Sequence, residues 1–281
     1  GPRAPAGPRA RDAPAGVPLR SLRPAAGRGP AVARNAGWRA ARAPLVAFTD
    51  DDTVPARDWL AAGWATMARE PGWSGACGAV RVPRSDGPPT DHERMTRGLE
   101  TAEFVTANAF VRTTALQAVD GFDERFLRAW REDSDLQFRL AQTVGPVGRA
   151  PLAEVVHPVR PERWGVCLRQ QRNAFFDALL YKKHPVLYRA RIDPLPPWDY
   201  YLIVAGSLLA APLGLFGAPR AAAIAAAVAL LLIARLAWRR LDGASHAPSH
   251  VVEMVTTSAL IPFLSVYWRL RGAWCFRVPF L

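Results

Sequence analysis

Three consecutive carboxylates, Asp50, Asp51 and Asp52, end the short apolar run Leu45-Val46-Ala47-Phe48. Adjacent carboxylates repel one another unless a cation lies between them. In extended chain Asp50 and Asp52 project to one side and Asp51 to the other. Two oxygens on one side suit Mg²⁺ or Mn²⁺, which bind carboxylate together with substrate phosphate. The competing reading is a solvated turn, with Asp52 or Thr53 capping a helix that starts near Pro55. A second acidic pair, Glu132 and Asp133, precedes Leu136, Leu140 and Val144, whose i, i+4, i+8 spacing predicts a helix. Ser134 and Gln137 fit an S-x-x-Q capping box, which leaves Glu132 and Asp133 in the loop before that helix. A carboxylate there can take a proton from an incoming hydroxyl, or Asp133 is simply the cap. His157, after Glu154-Val155-Val156, is either a third metal ligand or a structural histidine.

These groups need elements to position them. The run Leu45–Phe48 shows no polar alternation, the pattern of a central strand covered on both faces. Ligands of open α/β sheets gather at the carboxyl ends of strands, where the three aspartates fall. Residues 29–41 read as a helix feeding that strand. Arg34 on that helix can reach a nucleotide or lie on a solvated face.

The 281 residues divide by composition. Residues 1–28 show neither helical nor strand periodicity and read as disordered or as the remnant of a truncated strand. Residues 29–164 read as the catalytic domain, 165–198 as amphipathic basic helices and 199–281 as a membrane region. The chain starts at Gly1, and no signal peptide is read in its first residues. Cys77, Cys167 and Cys275 are too far apart for a disulfide framework or a zinc motif. The net charge of +12 comes almost wholly from arginine, Lys182 and Lys183 being the only lysines. Arginine with abundant alanine and proline reads as coding bias. Residues 1–43 show no basic–aromatic interleaving of the kind that binds single strands, so no nucleic-acid partner is expected.

Tyr200 to Pro219 is 20 residues without formal charge, enough to cross a bilayer core of about 30 Å. A second span is expected over 221–238, after the turn Gly217-Ala218-Pro219-Arg220. If the first span leaves the cytoplasm, Arg235, Arg239 and Arg240 lie inside and Arg220 outside. A third segment, about 251–268, is shorter, contains Pro262 and leads into Tyr267, Trp268, Arg269 and Arg271. It reads as re-entrant or interfacial, because a full span would put those arginines outside. In 165–191, Arg169, Arg172, Lys182, Lys183, Arg189 and Arg191 interleave with Leu168, Phe175, Phe176, Leu179, Leu180 and Leu187, as in helices that lie on an anionic membrane or pack on the domain.

Together these residues resemble family 2 glycosyltransferases of the GT-A fold. The features occur in family order: Ala33-Arg34-Asn35 with Gly37; the aspartates within Phe48 to Pro55; Thr106, Asn108 and Arg112; Gly121 to Glu124; Glu132 to Leu136; and His157. The resemblance implies a Rossmann-type mixed α/β sheet flanked by helices, followed by a helical membrane region. It implies that Asp50 and Asp52, with His157, hold Mg²⁺ or Mn²⁺. Arg34, Asp50, Asp51 and Asp52 would then contact a nucleotide-sugar donor. Asp133 would be the base of an inverting displacement, with Glu132 its nearest rival, and Trp130 and Arg131 would lie on the acceptor side. The expected partners are that donor, a hydroxyl acceptor such as a lipid-linked or cell-envelope glycan, and membrane lipids; the oligomeric state is left open. The expected place is the cell membrane, multi-pass, with the catalytic domain on the cytoplasmic side. Two departures stand out. The family's opening V-x-V-x-I-P-like strand is not found in residues 1–43, which suggests an N-terminally incomplete member. Arg163-Trp164 lacks the glutamine of the processive Q-x-x-R-W motif, Arg160 standing in its place, which favours single-sugar transfer. The alternative is a membrane-anchored scaffold of the same descent without catalysis.

Overall fold

The computed structural model describes residues 20–24 and 27–281. Most of the segment read as disordered or truncated, 1–19 and 25–26, lies outside the described residues. Helix α1 (Pro30–Ala40) opens with Pro30 at its first position, a proline placement that sacrifices no helical hydrogen bond. Its buried Ala31, Val32, Asn35 and Trp38 make one face. Strand β1 (Leu45–Thr49) follows, then the two-residue β2 (Val54–Pro55), α2 (Trp59–Arg69) and β3 (Gly75–Arg81). After α3 (Asp91–Arg97) come β4 (Asn108–Arg112), α4 (Thr113–Ala118), α5 (Glu132–Thr143) and β5 (Val147–Val156).

The five strands form one sheet in the order β1-β4-β3-β5-β2. The β3–β5 pair is parallel and the other pairs are antiparallel, so the sheet is mixed and flanked by helices as expected. One expectation is corrected: β1 is an edge strand among the described residues, not a central one. Only β4 pairs with it, so Phe48 is buried while Leu45, Val46 and Ala47 are half-buried. β3 and β4, rich in small and β-branched residues, form the covered centre. Phe110, Met67, Leu116, Leu136 and Leu140 pack around them. Val144, read as the third core position of α5, falls on its C-cap and is exposed.

The chain continues through α6 (Val166–Gln170), α7 (Ala174–Lys183) and α8 (Pro185–Arg191). Several apolar side chains of this segment pack on protein. Phe176, Leu179, Leu180 and Tyr188 are buried with Phe126, Phe138 and Phe280 in a second core. Their apolar area is covered by protein, the stronger outcome where two faces can close on each other. Three longer helices end the chain: α9 (Trp198–Leu215), α10 (Pro219–Leu241) and α11 (Pro248–Phe276). Each is long and apolar enough to cross a membrane.

These three are not alike. α9 and α10 pair as a hairpin, exposing Leu208, Leu209, Ile224, Leu230 and Leu231 along its sides and Leu215 and Phe216 at its tip. α11 is continuous through Pro262 and packs along α6 and α7. Near its start His250 accepts from the Asp91 amide at 3.1 Å and Glu253 from the Gly165 amide at 2.7 Å. Near its end Trp268 and Phe276 meet Phe175 edge-on and tilted. Gly272 sits so close that an added Cβ would stand 2.6 Å from the Phe175 carbonyl. The hairpin is rooted on the same helix, where Arg240 donates to Thr257 and Ser258 at 2.8 and 3.0 Å.

Candidate active site

The three aspartates form a turn rather than a continued strand. The amide and hydroxyl of Thr53 both donate to the Asp50 carbonyl, at 3.3 and 2.8 Å. The turn half-buries Asp50 and Asp52 and leaves the Asp51 side chain 89% exposed. Neither Asp52 nor Thr53 caps a helix: Val54–Pro55 pairs with β5, and α2 starts only at Trp59.

β5 delivers the third group. Its extension is held by the His157 amide donating to the Arg81 carbonyl at 2.8 Å. His157 Nε2 then stands 3.7 Å from Asp52 Oδ1. One ligand atom each from Asp50, Asp52 and His157 falls within 4.8 Å of the others. Two carboxylates and an imidazole are a donor set that fits a divalent ion such as Mn²⁺, with open positions left for phosphate oxygens. A residue that sequence reasoning placed only in a motif comparison also belongs here. Arg160 pairs through Nε with the Asp52 carboxylate at 2.8 Å and donates through Nη2 to Asp51 at 3.3 Å, offsetting the charge of the turn.

The second acidic pair is placed by α5, and not as expected. The helix starts at Glu132, so Glu132 and Asp133 lie in its first turn instead of in the preceding loop. The Ser134–Gln137 capping box does not form. Arg131, with left-handed φ of 73°, is the N-cap, and the Gln137 amide donates to Glu103. The reason is Asp135. Its side chain is fully buried and pairs with Lys183 at 2.5 Å, Arg139 at 2.8 Å and His184 at 3.2 Å. That anchor fixes the first turn, and three carboxylates there also suit the positive end of the helix. Burial raises the Asp135 carboxyl, but those partners outweigh it and hold it below its ordinary value.

Arg34 joins the two acidic groups. Nη2 donates to Asp50 at 3.0 Å and Nη1 to Glu132 at 2.6 Å. Burial and the neighbouring Asp133 outweigh that guanidinium and push Glu132 up to about 7. Burial likewise raises Asp133, against the Ser134 amide, Arg131 and Arg34. Two carboxyls raised side by side are what proton transfer near neutrality requires. Arg34 is itself aimed by Asn35. This buried side chain donates to the Phe122 carbonyl and Glu124, and accepts from the Phe122 amide and Trp38 Nε1.

Trp130 and Arg131, expected on the acceptor side, both donate to Asp177 of α7, at 3.0 and 2.6 Å. Sequence reasoning missed Asp177, which no local motif marks. Arg131 and Ser134, the residues flanking the acidic pair, also wall a cavity of about 260 Å³ with Glu103 and Gln137.

The mixed sheet thus gathers a carboxylate–imidazole cluster at its strand ends, opposite a second carboxyl pair. Residues 12–126 match the family model "Glycosyl transferase family 2". The chain is 30% identical over 176 residues to the pre-mycofactocin glycosyltransferase of Mycobacterium tuberculosis, in strains CDC 1551 and H37Rv. The alignment covers 56% of this chain and 36% of those relatives, so the chain spans about a third of their length. Among solved structures, it is similar to a mannosyltransferase from Pyrobaculum calidifontis in complex with GDP-Man and Mn²⁺. That likeness has a TM-score of 0.45 and 18% identity, covering 88% of this chain and 67% of that one. Over these residues the chain is similar to family 2 glycosyltransferases.

Proposed function

We propose that the protein moves a single sugar from a nucleotide-sugar donor to a hydroxyl acceptor, with inversion, at the cytoplasmic face of a membrane. The observation that carries this reading is the Arg34 bridge, which sets Asp50, Asp52 and His157 on one side and Glu132 and Asp133 on the other. Asp50, Asp52 and His157 would hold Mn²⁺ or Mg²⁺, which offsets charge on the departing diphosphate. Arg34 and the aspartate turn orient the donor. Asp133 accepts the acceptor hydroxyl's proton, with Glu132 held by Arg34 as its neighbour. The cavity walled by Arg131 and Ser134 is the entry for the acceptor. Two membrane-crossing helices are few for a polymer channel, in keeping with one sugar per reaction.

The α9–α10 hairpin inserts in the bilayer. By helical rise α9 is about 27 Å long and α10 about 35 Å, a match to a core of about 30 Å. α11 touches the catalytic domain from His250 to Phe276 and therefore lies along the interface instead of crossing. Arg235, Arg239 and Arg240 at the rooted end support a cytoplasmic position for the domain, since arginines concentrate on that side. The test is turnover of a panel of nucleotide-sugars by the membrane-embedded protein. Nucleoside diphosphate release should need Mn²⁺ or Mg²⁺, and the product's anomeric configuration should be opposite to the donor's. Retained configuration would remove Asp133 from the role of base.

A further inference from the structure

We propose that the recess at the root of the α9–α10 hairpin binds the headgroup of a zwitterionic, amine-bearing phospholipid of the phosphatidylethanolamine type. This rests on reading the hairpin as membrane-inserted. Exposed Trp198, Trp238 and Tyr267 surround the root and mark the headgroup level, where amphipathic rings settle. Between α9, α10 and α11 lies a recess of about 420 Å³, walled by Asp193, Asp199, Arg239, Arg240, Ser265 and Arg269.

Its charges are incompletely matched from within. Arg240 is taken, by Asp91 at 2.8 Å and by the hydroxyls of Thr257 and Ser258. Exposed Arg239 has no hydrogen-bond or ion-pair partner among the described residues. Arg269 is only 6% exposed, yet its nearest carboxylate, Asp193, stands 3.9 Å away, beyond hydrogen-bond reach. Its Nη2 donates to the Leu281 carbonyl at 3.0 Å, and its Nε is buried without a partner. A guanidinium buried this far from an anion is costly until one arrives. Asp199 faces the same space and accepts only from the Tyr200 amide, at 3.0 Å.

Arg239 and Asp199, each without a counter-charge among the described residues, thus share one volume at headgroup depth with the loose Arg269–Asp193 pair. A phosphodiester answers the guanidinium pair and a primary ammonium answers the carboxylates. A purely anionic headgroup would leave Asp199 facing no cation of its own. A trimethylated amine has no N–H to donate to them.

The experiment uses the full chain in non-ionic detergent, offered equal amounts of phosphatidylethanolamine, phosphatidylglycerol and phosphatidylcholine. Retained lipid is counted by native mass spectrometry. The expected result is several-fold retention of phosphatidylethanolamine over both others. Arg239→Gln should reduce that retention, and Asp199→Asn should turn the preference towards phosphatidylglycerol. Retention that follows the mixture's composition, or a preference that both substitutions leave unchanged, overturns the proposal. An alkaline carbonate wash of membranes is run alongside. Release of the chain by that wash refutes the inserted hairpin itself, whereas a retained chain without lipid preference refutes only the headgroup site.

Discussion

Asp50 and Glu132, carried by different elements, share the guanidinium of Arg34, at 3.0 Å on one side and 2.6 Å on the other. That bridge couples the metal-type cluster to the proton-transfer pair, so a change at one carboxyl is felt at the other. It also separates roles. Asp50 is one-third exposed and open to a ligand, whereas the Glu132 side chain is 3% exposed and held in place.

The first prediction separates the two carboxyls of α5. Asp133→Asn keeps size and removes the proton acceptor, so kcat should fall by about 10²–10⁴-fold while nucleotide-sugar affinity stays unchanged. Glu132→Gln should cost less, because Arg34 already restrains that side chain. Steady-state kinetics beside calorimetric binding of the donor read both. Loss confined to Glu132→Gln would move the base to Glu132.

A second prediction follows from the raised Glu132 carboxyl. Its pKa rises on folding from 4.5 to about 7, so between those values the folded state keeps a proton that the unfolded chain has lost. Its contribution to stability is therefore fully present at about pH 4.5 and is lost as pH rises to about 7. Apparent melting midpoints across that range should fall with pH, and Glu132→Gln should flatten that part of the slope. A midpoint that rises with pH in the unaltered protein and is insensitive to the substitution would contradict the assignment.

Metal binding provides the third. Asp52→Asn should weaken Mn²⁺ binding about tenfold or more, by loss of a charged ligand, and His157→Ala should weaken it less. Electron paramagnetic resonance of free Mn²⁺ during titration gives both affinities without any need for turnover. Equal affinity in all three proteins would dissolve the cluster as a metal site.

Membrane sidedness is open to labelling in a Cys275→Ser background, since Cys275 is the exposed native thiol. A cysteine at position 218, in the hairpin turn, should react with an impermeant reagent outside intact cells. One at position 242, beside Arg239 and Arg240, should react only after lysis. The reverse pattern would invert the orientation.

The fifth concerns Gly121, which has a φ of 64°. A Cβ there would stand 2.3 Å from Trp38 Nε1 and 2.5 Å from Asn35 Oδ1, the contacts that aim Arg34. Gly121→Ala should cost about 1–3 kcal/mol and lower the melting midpoint. It should also reduce donor affinity, which a change confined to the fold's periphery would not do.

Much of this site is local in the chain and therefore legible in it. The apolar run before Asp50, the helix read over residues 29–41 and the Leu136–Leu140 spacing each report a short-range rule. What escaped reading depends on partners far away. β1 looks central because its residues are apolar, but edge or centre is settled by which strands pair, and that lies in no local pattern. The start of α5 was misplaced because a capping rule sees Ser134 and Gln137, whereas the folded chain is ruled by Asp135 meeting Lys183 and His184. Asp177 and the contacts of Arg160 were invisible for the same reason. Their meaning exists only once α7 and the segment after β5 come back to the sheet.

The stacking of α11 on α7 reaches further than packing. α7 carries Asp177, Asp177 grips Trp130 and Arg131, and Arg131 immediately precedes the Glu132–Asp133 pair. If α11 lies at the membrane surface as proposed, the bilayer is mechanically in series with the Glu132–Asp133 pair. Lateral pressure, lipid thickness or a detergent that pries α11 from Phe175 would alter turnover without touching a residue of the site. The enzyme's rate then becomes a property of its solvent in two dimensions as well as of its sequence, and solubilised preparations would lose activity before they lose secondary structure.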